Sequence, residues 1–223
     1  MKRWITVFVL AGAVLFSGPL SAQKSAMLGG PHDVRASGNT GDACAGCHTP
    51  HSANTSYKAV LWNRSYVPTA ASFTPYDATT NPDFKGGAVS LGASSALSLL
   101  CMSCHDGTTA LNAVIDTPNG TIFKTGTVGT GSRLGSDLSN DHPVGFSYDA
   151  SITGQGTPAK LIQTPDPSKV KLFGTAGARR VECGSCHDAH TTASGFLRSP
   201  NTNSALCLAC RRLDETREKG HPT

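Results

Sequence analysis

Four pairs of cysteines with identical spacing are the dominant feature of this sequence of 223 residues. Each pair has the form C-x-x-C, no cysteine is left over, and the pairs are Cys44/Cys47, Cys101/Cys104, Cys183/Cys186 and Cys207/Cys210. Three of the pairs are followed at once by a histidine, at His48, His105 and His187. We infer that the fold is organised around whatever these motifs bind.

The sequence C-x-x-C-H is typical of covalent haem attachment. Two thiols at this spacing can add to the two vinyl groups of one haem, and the adjacent histidine then ligates the iron as its proximal ligand. A zinc site would need four ligands from two half-sites and is more usual inside cells, and a disulfide framework would leave the three histidines unexplained. We assign all eight cysteines to haem-attachment motifs, and we expect three haems c, with four as the alternative.

The remaining histidines supply candidates for a second ligand on each iron. His51 and His190 each follow a motif histidine by three positions, which gives C-x-x-C-H-x-x-H twice. A residue so close to the proximal ligand lies on the same side of that haem, so we expect it to ligate the iron of a neighbouring haem. The alternative for both is a surface or hydrogen-bonding role.

His142 and His32 are two further candidates. His142 is the only histidine between His105 and His187, and the proline after it favours an extended backbone. Asp141 is suited to orient its ring, so we predict that His142 is a distal ligand. His32 can be assigned to a haem of its own chain, to one of a neighbouring molecule, or to neither. With His51 and His190, these candidates would match four haem sites.

The motifs alternate between two types. The segment ACAGCHTPHS at 43–52 is similar to ECGSCHDAHT at 182–191, and SLLCMSCH at 98–105 is similar to SALCLAC at 204–210. This order predicts a two-haem module that is used twice, with coincidence between short motifs as the alternative.

These doublets, the Leu-Cys-x-x-Cys-His partner and the segment His142-Pro-Val-Gly-Phe together resemble the doubled-CXXCH (cytochrome c3-like) multihaem c-type cytochromes of metal- and sulfur-respiring bacteria. Outer-surface tetrahaem cytochromes that assemble into filaments are similar. The resemblance implies bis-histidine, low-potential haems in a closely stacked chain that carries electrons. It implies redox partner proteins and other multihaem cytochromes as partners, and it leaves a homo-oligomer or filament open.

We do not expect an enzyme, because there are enough histidines to cap every intact iron site and no paired-carboxylate or nucleophile constellation appears. The alternative is a haem-dependent reductase with one open iron.

The fourth motif departs from the pattern, because Arg211 stands where the histidine is expected. A guanidinium stays protonated and has no lone pair to offer a metal. His221 lies ten residues further on and could in principle bend back. We consider two origins: a frameshift or truncation of an ancestor that continued Cys-His, or a natural three-haem variant whose last two cysteines form a local disulfide.

The N-terminus predicts export. Lys2 and Arg3 precede an apolar run that is too short to span a bilayer, and small residues follow it up to Ala22. We therefore expect a signal peptide at 1–22, a periplasmic or extracellular bacterial protein, and no membrane insertion after cleavage. An uncleaved anchor is the alternative. Removal of Lys2 and Arg3 takes the net charge from +4 to +2, a balance that indicates no nucleic-acid partner.

Composition predicts a mostly irregular fold. The chain has 8 Phe, 4 Tyr and 2 Trp against 24 Gly and 13 Pro, too little for an ordinary side-chain core. We expect a multihaem cytochrome c fold, mostly irregular with short α-helices and little β structure, wrapped around a stacked haem chain. Short helices should carry the motifs, 54–61 and 92–100 should approach them as helix or strand, and a short hairpin is expected near 121–130.

We divide the mature chain, 23–223, into a first haem-pair module at about 32–115, a linker with the distal histidine at about 116–180, a second module at about 181–211, and an altered charged tail at 211–223.

Overall fold

The computed structural model describes residues 27–56, 61–76, 91, 97–153 and 161–212. The predicted signal peptide, His221 and nearly all of the charged tail lie outside the described residues, as do parts of 54–61 and 92–100. No helix in the described part is long and apolar enough to cross a membrane.

Short helices and turns make up the regular structure. The α-helices are α1 (Leu97–His105), α2 (Tyr148–Thr153), α3 (Cys183–Cys186) and α4 (Ala205–Leu208). Short 3-10 turns occur at Ala43–Gly46, Ala70–Ser72, Pro118–Gly120, Thr130–Ser132, Ser194–Phe196 and Thr202–Ser204. The predicted coarse class, mostly irregular with short helices and little β structure, is confirmed. Its cause is the abundance of residues that favour turns over regular elements.

Helix α1 is the longest element, and its sequence LSLLCMSCH contains neither Gly nor Pro. It ends just before Gly107, whose φ of 76° is the left-handed conformation that commonly closes a helix. Leu99, Leu100 and Met102 are buried on α1, and the helix presents Cys101, Cys104 and His105 in its last turns.

Two strands form the only sheet in the described residues. Strand β1 (Phe146–Ser147) pairs antiparallel with β2 (Arg180–Val181), with Phe146 opposite Val181. The hairpin that we expected near 121–130 is wrong. Phe123 pairs instead with Arg35, and the backbone N–H of Lys124 donates to the Val34 carbonyl at 2.8 Å. Pairing with a distant segment has overridden the local turn preference.

Two apolar clusters lie beside the motifs. The first core cluster contains Trp62, Val67, Phe73, Leu91, Leu99, Leu100, Met102 and Leu138, and Cys47 packs against it. The second core cluster contains Val170, Leu206 and Ala209, and Cys186 and Cys210 pack against it. Motif cysteines therefore pack against both clusters.

Helices α1 and α3 pack closely against each other. Gly184, inside the third motif, makes this approach possible, because an added Cβ would collide with the side chain of Leu97 and come within 3.2 Å of the Phe173 ring.

Candidate functional site

The motifs share one backbone turn. In three of them the residue after the second cysteine donates its N–H to the carbonyl of the first cysteine: His48 to Cys44 at 2.8 Å, His187 to Cys183 at 3.0 Å and Arg211 to Cys207 at 3.1 Å. Cys101 and His105 have the same separation inside α1. A helical turn of this kind puts both thiols and the following side chain on one side of the backbone. The predicted short helix or turn at each motif is confirmed.

Local polar groups hold two of these turns in place. Asp42 caps the first motif by accepting the Cys44 N–H at 3.0 Å. Glu182 and Ser185 form a reciprocal capping box at the start of α3, with the Glu182 N–H donating to Ser185 Oγ at 2.9 Å. Capping satisfies backbone donors that a short helix cannot satisfy internally.

The thiols of successive motifs influence one another's pKa values. Burial, and then the nearby Cys104 thiol, raises the pKa of Cys47 to about 11, which marks the contact between motifs one and two. The thiol of Cys101 is hydrogen bonded to Cys183, and this bond raises the pKa of Cys101. Burial, and then the nearby Cys207 thiol, raises the pKa of Cys186. Burial, and then the nearby Cys186 thiol, raises the pKa of Cys210.

A buried hydrogen-bond network connects the second motif to the third. Ser98 on α1 donates its hydroxyl to the carboxylate of Glu182, which is 1% exposed. The Cys183 N–H donates to Ser98 Oγ at 3.1 Å, and Arg180 Nε donates to the other carboxylate oxygen of Glu182 at 3.3 Å. Elements that are distant in the sequence are therefore joined between the second and third motifs.

His48 of the first motif and His190 of the second doublet face each other. Their ring centres are 6.2 Å apart, and the ring planes differ by 13°. His190 therefore lies beside another motif rather than opposite His187, as its position in the sequence predicted. The Trp62 indole also lies near His48, with ring centres 6.0 Å apart and ring planes at 80°.

His32 and His105 form a second facing pair, with ring centres 6.3 Å apart and planes at 79°. His32 also packs on the Phe196 ring at 4.4 Å. Burial, with the nearby His105 and His190, lowers the pKa of His32 and favours the neutral imidazole. The neutral ring is the form that ligates metals.

Backbone carbonyls orient two of the motif imidazoles. His105 Nδ1 lies 2.7 Å from the Ser132 carbonyl oxygen, and His187 Nδ1 lies 2.8 Å from that of Gly195. A carbonyl only accepts, so Nδ1 is the donor in both hydrogen bonds, and in the neutral ring Nε2 is the nitrogen with a lone pair. Metal-ligating histidines commonly have this arrangement.

The residues fit haem ligation. Two imidazoles on opposite sides of one iron each have nitrogen roughly 2 Å from the metal, so their ring centres are roughly 6 Å apart. Both facing pairs have this spacing, and each contains one motif histidine. Axial ligation of a haem takes only two protein side chains, and nowhere in the described ranges do three or more His, Cys, Asp or Glu side chains gather as they would for a metal ion held by the protein alone.

The other predicted ligands are not brought together. Among the described residues, His51, His142 and His187 each have no imidazole facing them. His51 and His142 are exposed, and within the described structure no hydrogen bond joins Asp141 to the His142 ring. No family model and no curated protein matches the chain.

The fourth motif is held by hydrogen bonds to its backbone. The buried Tyr148 hydroxyl donates to the carbonyl oxygens of Ile162 and Cys210, at 2.5 and 3.2 Å. The Ile162 N–H also donates to the Cys210 carbonyl at 2.8 Å. No disulfide joins any of the eight cysteines, all of which are described. Cys207 is exposed, while burial raises the pKa of Cys210 to about 11.

Sequence reasoning missed two polar residues beside the motifs. Glu182 joins α1 to α3, and Arg64 is a fully buried cation between motifs one and two. Glu182 had a local signal, because a Glu before a short helix with Ser three residues later is a capping pattern. Arg64 had none, since its partners are backbone carbonyls far along the chain.

Proposed function

We propose that this chain is an exported multihaem c-type cytochrome that transfers electrons through haems attached at Cys44/Cys47, Cys101/Cys104 and Cys183/Cys186. The observation that carries the proposal is the pairing of two motif histidines with a second imidazole, at the spacing that suits a shared iron. When attached, each haem would supply a one-electron iron couple.

The residues in this proposal have separate roles. The paired cysteines would hold the haem edges, and His48 and His105 would be proximal ligands with His190 and His32 opposite them. His187 would ligate the third iron, with His51 or His142 as its partner. The Ser132 and Gly195 carbonyls would keep the imidazoles in the ligating tautomer.

The closeness of the motifs to one another supports carriage of electrons along a chain. Adjacent motifs have thiols close enough to influence one another, so haems attached to them would lie close together. We propose a stacked haem chain that passes electrons between redox partner proteins, including other multihaem cytochromes, in the periplasm or outside the cell. Assembly of copies into a homo-oligomer or filament would extend the same chain.

The test is the intact mass of the mature protein from a host that matures c-type cytochromes. Three covalent haems are expected, together with cleavage of residues 1–22. A mass without haem would refute the proposal and return the cysteines to zinc or disulfide chemistry. A mass with four haems would mean that the motif ending in Arg211 is still processed.

A haem-dependent reductase is the second candidate. It is favoured by one observation: in the described structure, His187 has no imidazole facing it. An iron with one protein ligand could bind a substrate. Absorption spectra of the reduced protein with and without carbon monoxide distinguish the two, because a carrier with every iron capped should not respond.

A further inference from the structure

Arg64 is a buried cation. Its side chain is 1% exposed and is among the largest fully buried side chains of the chain. Nη1 donates to the Ala110 carbonyl and Nη2 to the Leu111 carbonyl, both at 3.1 Å, while Nε has no hydrogen-bond partner. Carbonyl groups are dipoles and do not cancel a full charge.

Nothing in the described part of the chain neutralises this charge. The ion pairs found there use Asp33, Asp149, Glu182 and Asp188, and none of them includes Arg64. Asp106, the carboxylate after the second motif, accepts hydrogen bonds from Thr108 and Thr109 instead. A buried unpaired charge is costly, so its retention calls for a function.

The position of Arg64 connects the first two motifs. The preceding residue, Asn63, donates its backbone N–H to the Cys47 carbonyl at 2.7 Å and its amide to the Ala45 carbonyl at 2.6 Å. The guanidinium itself reaches the segment just after the second motif, at Ala110 and Leu111. Its charge acts on both the Cys47 and Cys104 sulfurs.

We propose that Arg64 raises the reduction potentials of the two haems attached at Cys44/Cys47 and Cys101/Cys104 above that of the haem at Cys183/Cys186. This inference rests on the proposed cytochrome function. Reduction adds one negative charge to an iron centre, and a buried cation stabilises that charge with little screening by solvent. Arg64 would then set the direction of electron flow, with electrons drawn towards the first pair.

The experiment is a spectroelectrochemical titration of haem-loaded wild type, Arg64→Gln and Arg64→Lys. The Gln variant should lower the potentials of two haems and leave the third unchanged. A tenfold shift in the reduced-to-oxidised ratio, about 59 mV for one electron, is expected at each of the two. The Lys variant should keep the wild-type potentials of these two haems, because it keeps the positive charge. A pure packing role predicts that Gln and Lys behave alike.

Lys169→Gln is the matched control, since it removes the same charge from an exposed position. If Arg64→Gln does not mature, Arg64→Met carries the test, because it keeps the volume and removes the charge. Wild-type potentials in haem-loaded Arg64→Gln or Arg64→Met, or a wild type with three equal potentials, would overturn the inference alone. Such a result would mean that a carboxylate of the bound haem neutralises Arg64. Wild type without covalent haem would overturn the proposed function as well.

Discussion

The ring centres of His48 and His190 are 6.2 Å apart although the two histidines belong to the first and third motifs. His190 is close to His187 in sequence and yet lies beside the histidine of the first motif. This contact connects the N-terminal and C-terminal halves of the chain.

Replacement of His190 by Ala should open one iron. The haem count should stay at three, because Cys44, Cys47 and His48 are untouched, but one haem should become high-spin and bind carbon monoxide. Absorption spectra of the reduced protein measure this. His221→Ala is the control, since His221 is not among our ligand assignments. Equal spectra with and without carbon monoxide for His190→Ala would remove His190 from the ligand set.

Replacement of Arg211 by His should add a fourth covalent haem. The backbone turn is already formed, with the Arg211 N–H on the Cys207 carbonyl at 3.1 Å, so only the ligand is missing. Intact mass counts the haems. Arg212→His puts the same residue one position outside the motif and should leave the count at three. A count that stays at three in Arg211→His would show that the fourth motif is impaired beyond its side chain.

The cysteines of the fourth motif should remain open to alkylation in the haem-loaded protein. Cys207 is exposed and should react first with a maleimide at neutral pH, while the pKa of about 11 keeps Cys210 protonated and slow. Peptide mass spectrometry after timed labelling separates the two sites. Failure to label either cysteine without prior reduction would indicate the local disulfide, and loss of both to a haem adduct would indicate a working fourth site.

The motif residues were predictable from the sequence because their spacing is local. C-x-x-C-H forms within one helical turn, so the turns at Cys44 and Cys183 follow from the motif itself. The pairing of His48 with His190 was foreseen only as ligation of a neighbouring haem, since long-range packing decides which motif is the neighbour. Glu182 and Arg64 act through contacts with distant residues that leave no periodic pattern. The expected hairpin near 121–130 failed for the same reason, because residues 34–36 compete for that segment.

Gly184→Ala should destabilise the protein. The added methyl would collide with Leu97 at the contact between α1 and α3, and overpacking of this kind costs about 1–3 kcal/mol. Gly129→Ala is the control, because an added Cβ there meets nothing within 4 Å. Guanidinium unfolding of both haem-loaded variants measures the difference. Equal unfolding midpoints for the two variants would mean that the close packing of α1 on α3 does not contribute to the free energy of unfolding.

Acid should loosen the loop that carries His32. Hydrogen bonds from Arg35, at 2.6 and 2.8 Å, hold the pKa of Asp33 well below its usual value of 3.8. A depressed pKa adds stability above that usual value, and this stability is lost as the pH falls further. Unfolding midpoints of Asp33→Asn should therefore lie below wild type at pH 7 and approach it in strong acid. If the difference between the two unfolding midpoints is the same at every pH, the ionisation of Asp33 does not contribute to stability.

The hydrogen bond between Ser98 and Glu182 has a consequence for the order in which the protein is completed. Under the proposed export route the N-terminus crosses the membrane first, so α1 emerges well before the segment that contains Glu182 reaches the same side. During that interval the later segment cannot cover the thiol of Cys101, which is hydrogen bonded to Cys183 in the finished fold. We expect cofactors to be added in sequence order, which pulse-labelled intermediates would reveal. The hydrogen bond from Ser98 to the Glu182 carboxylate would then form last and complete the contact between α1 and α3.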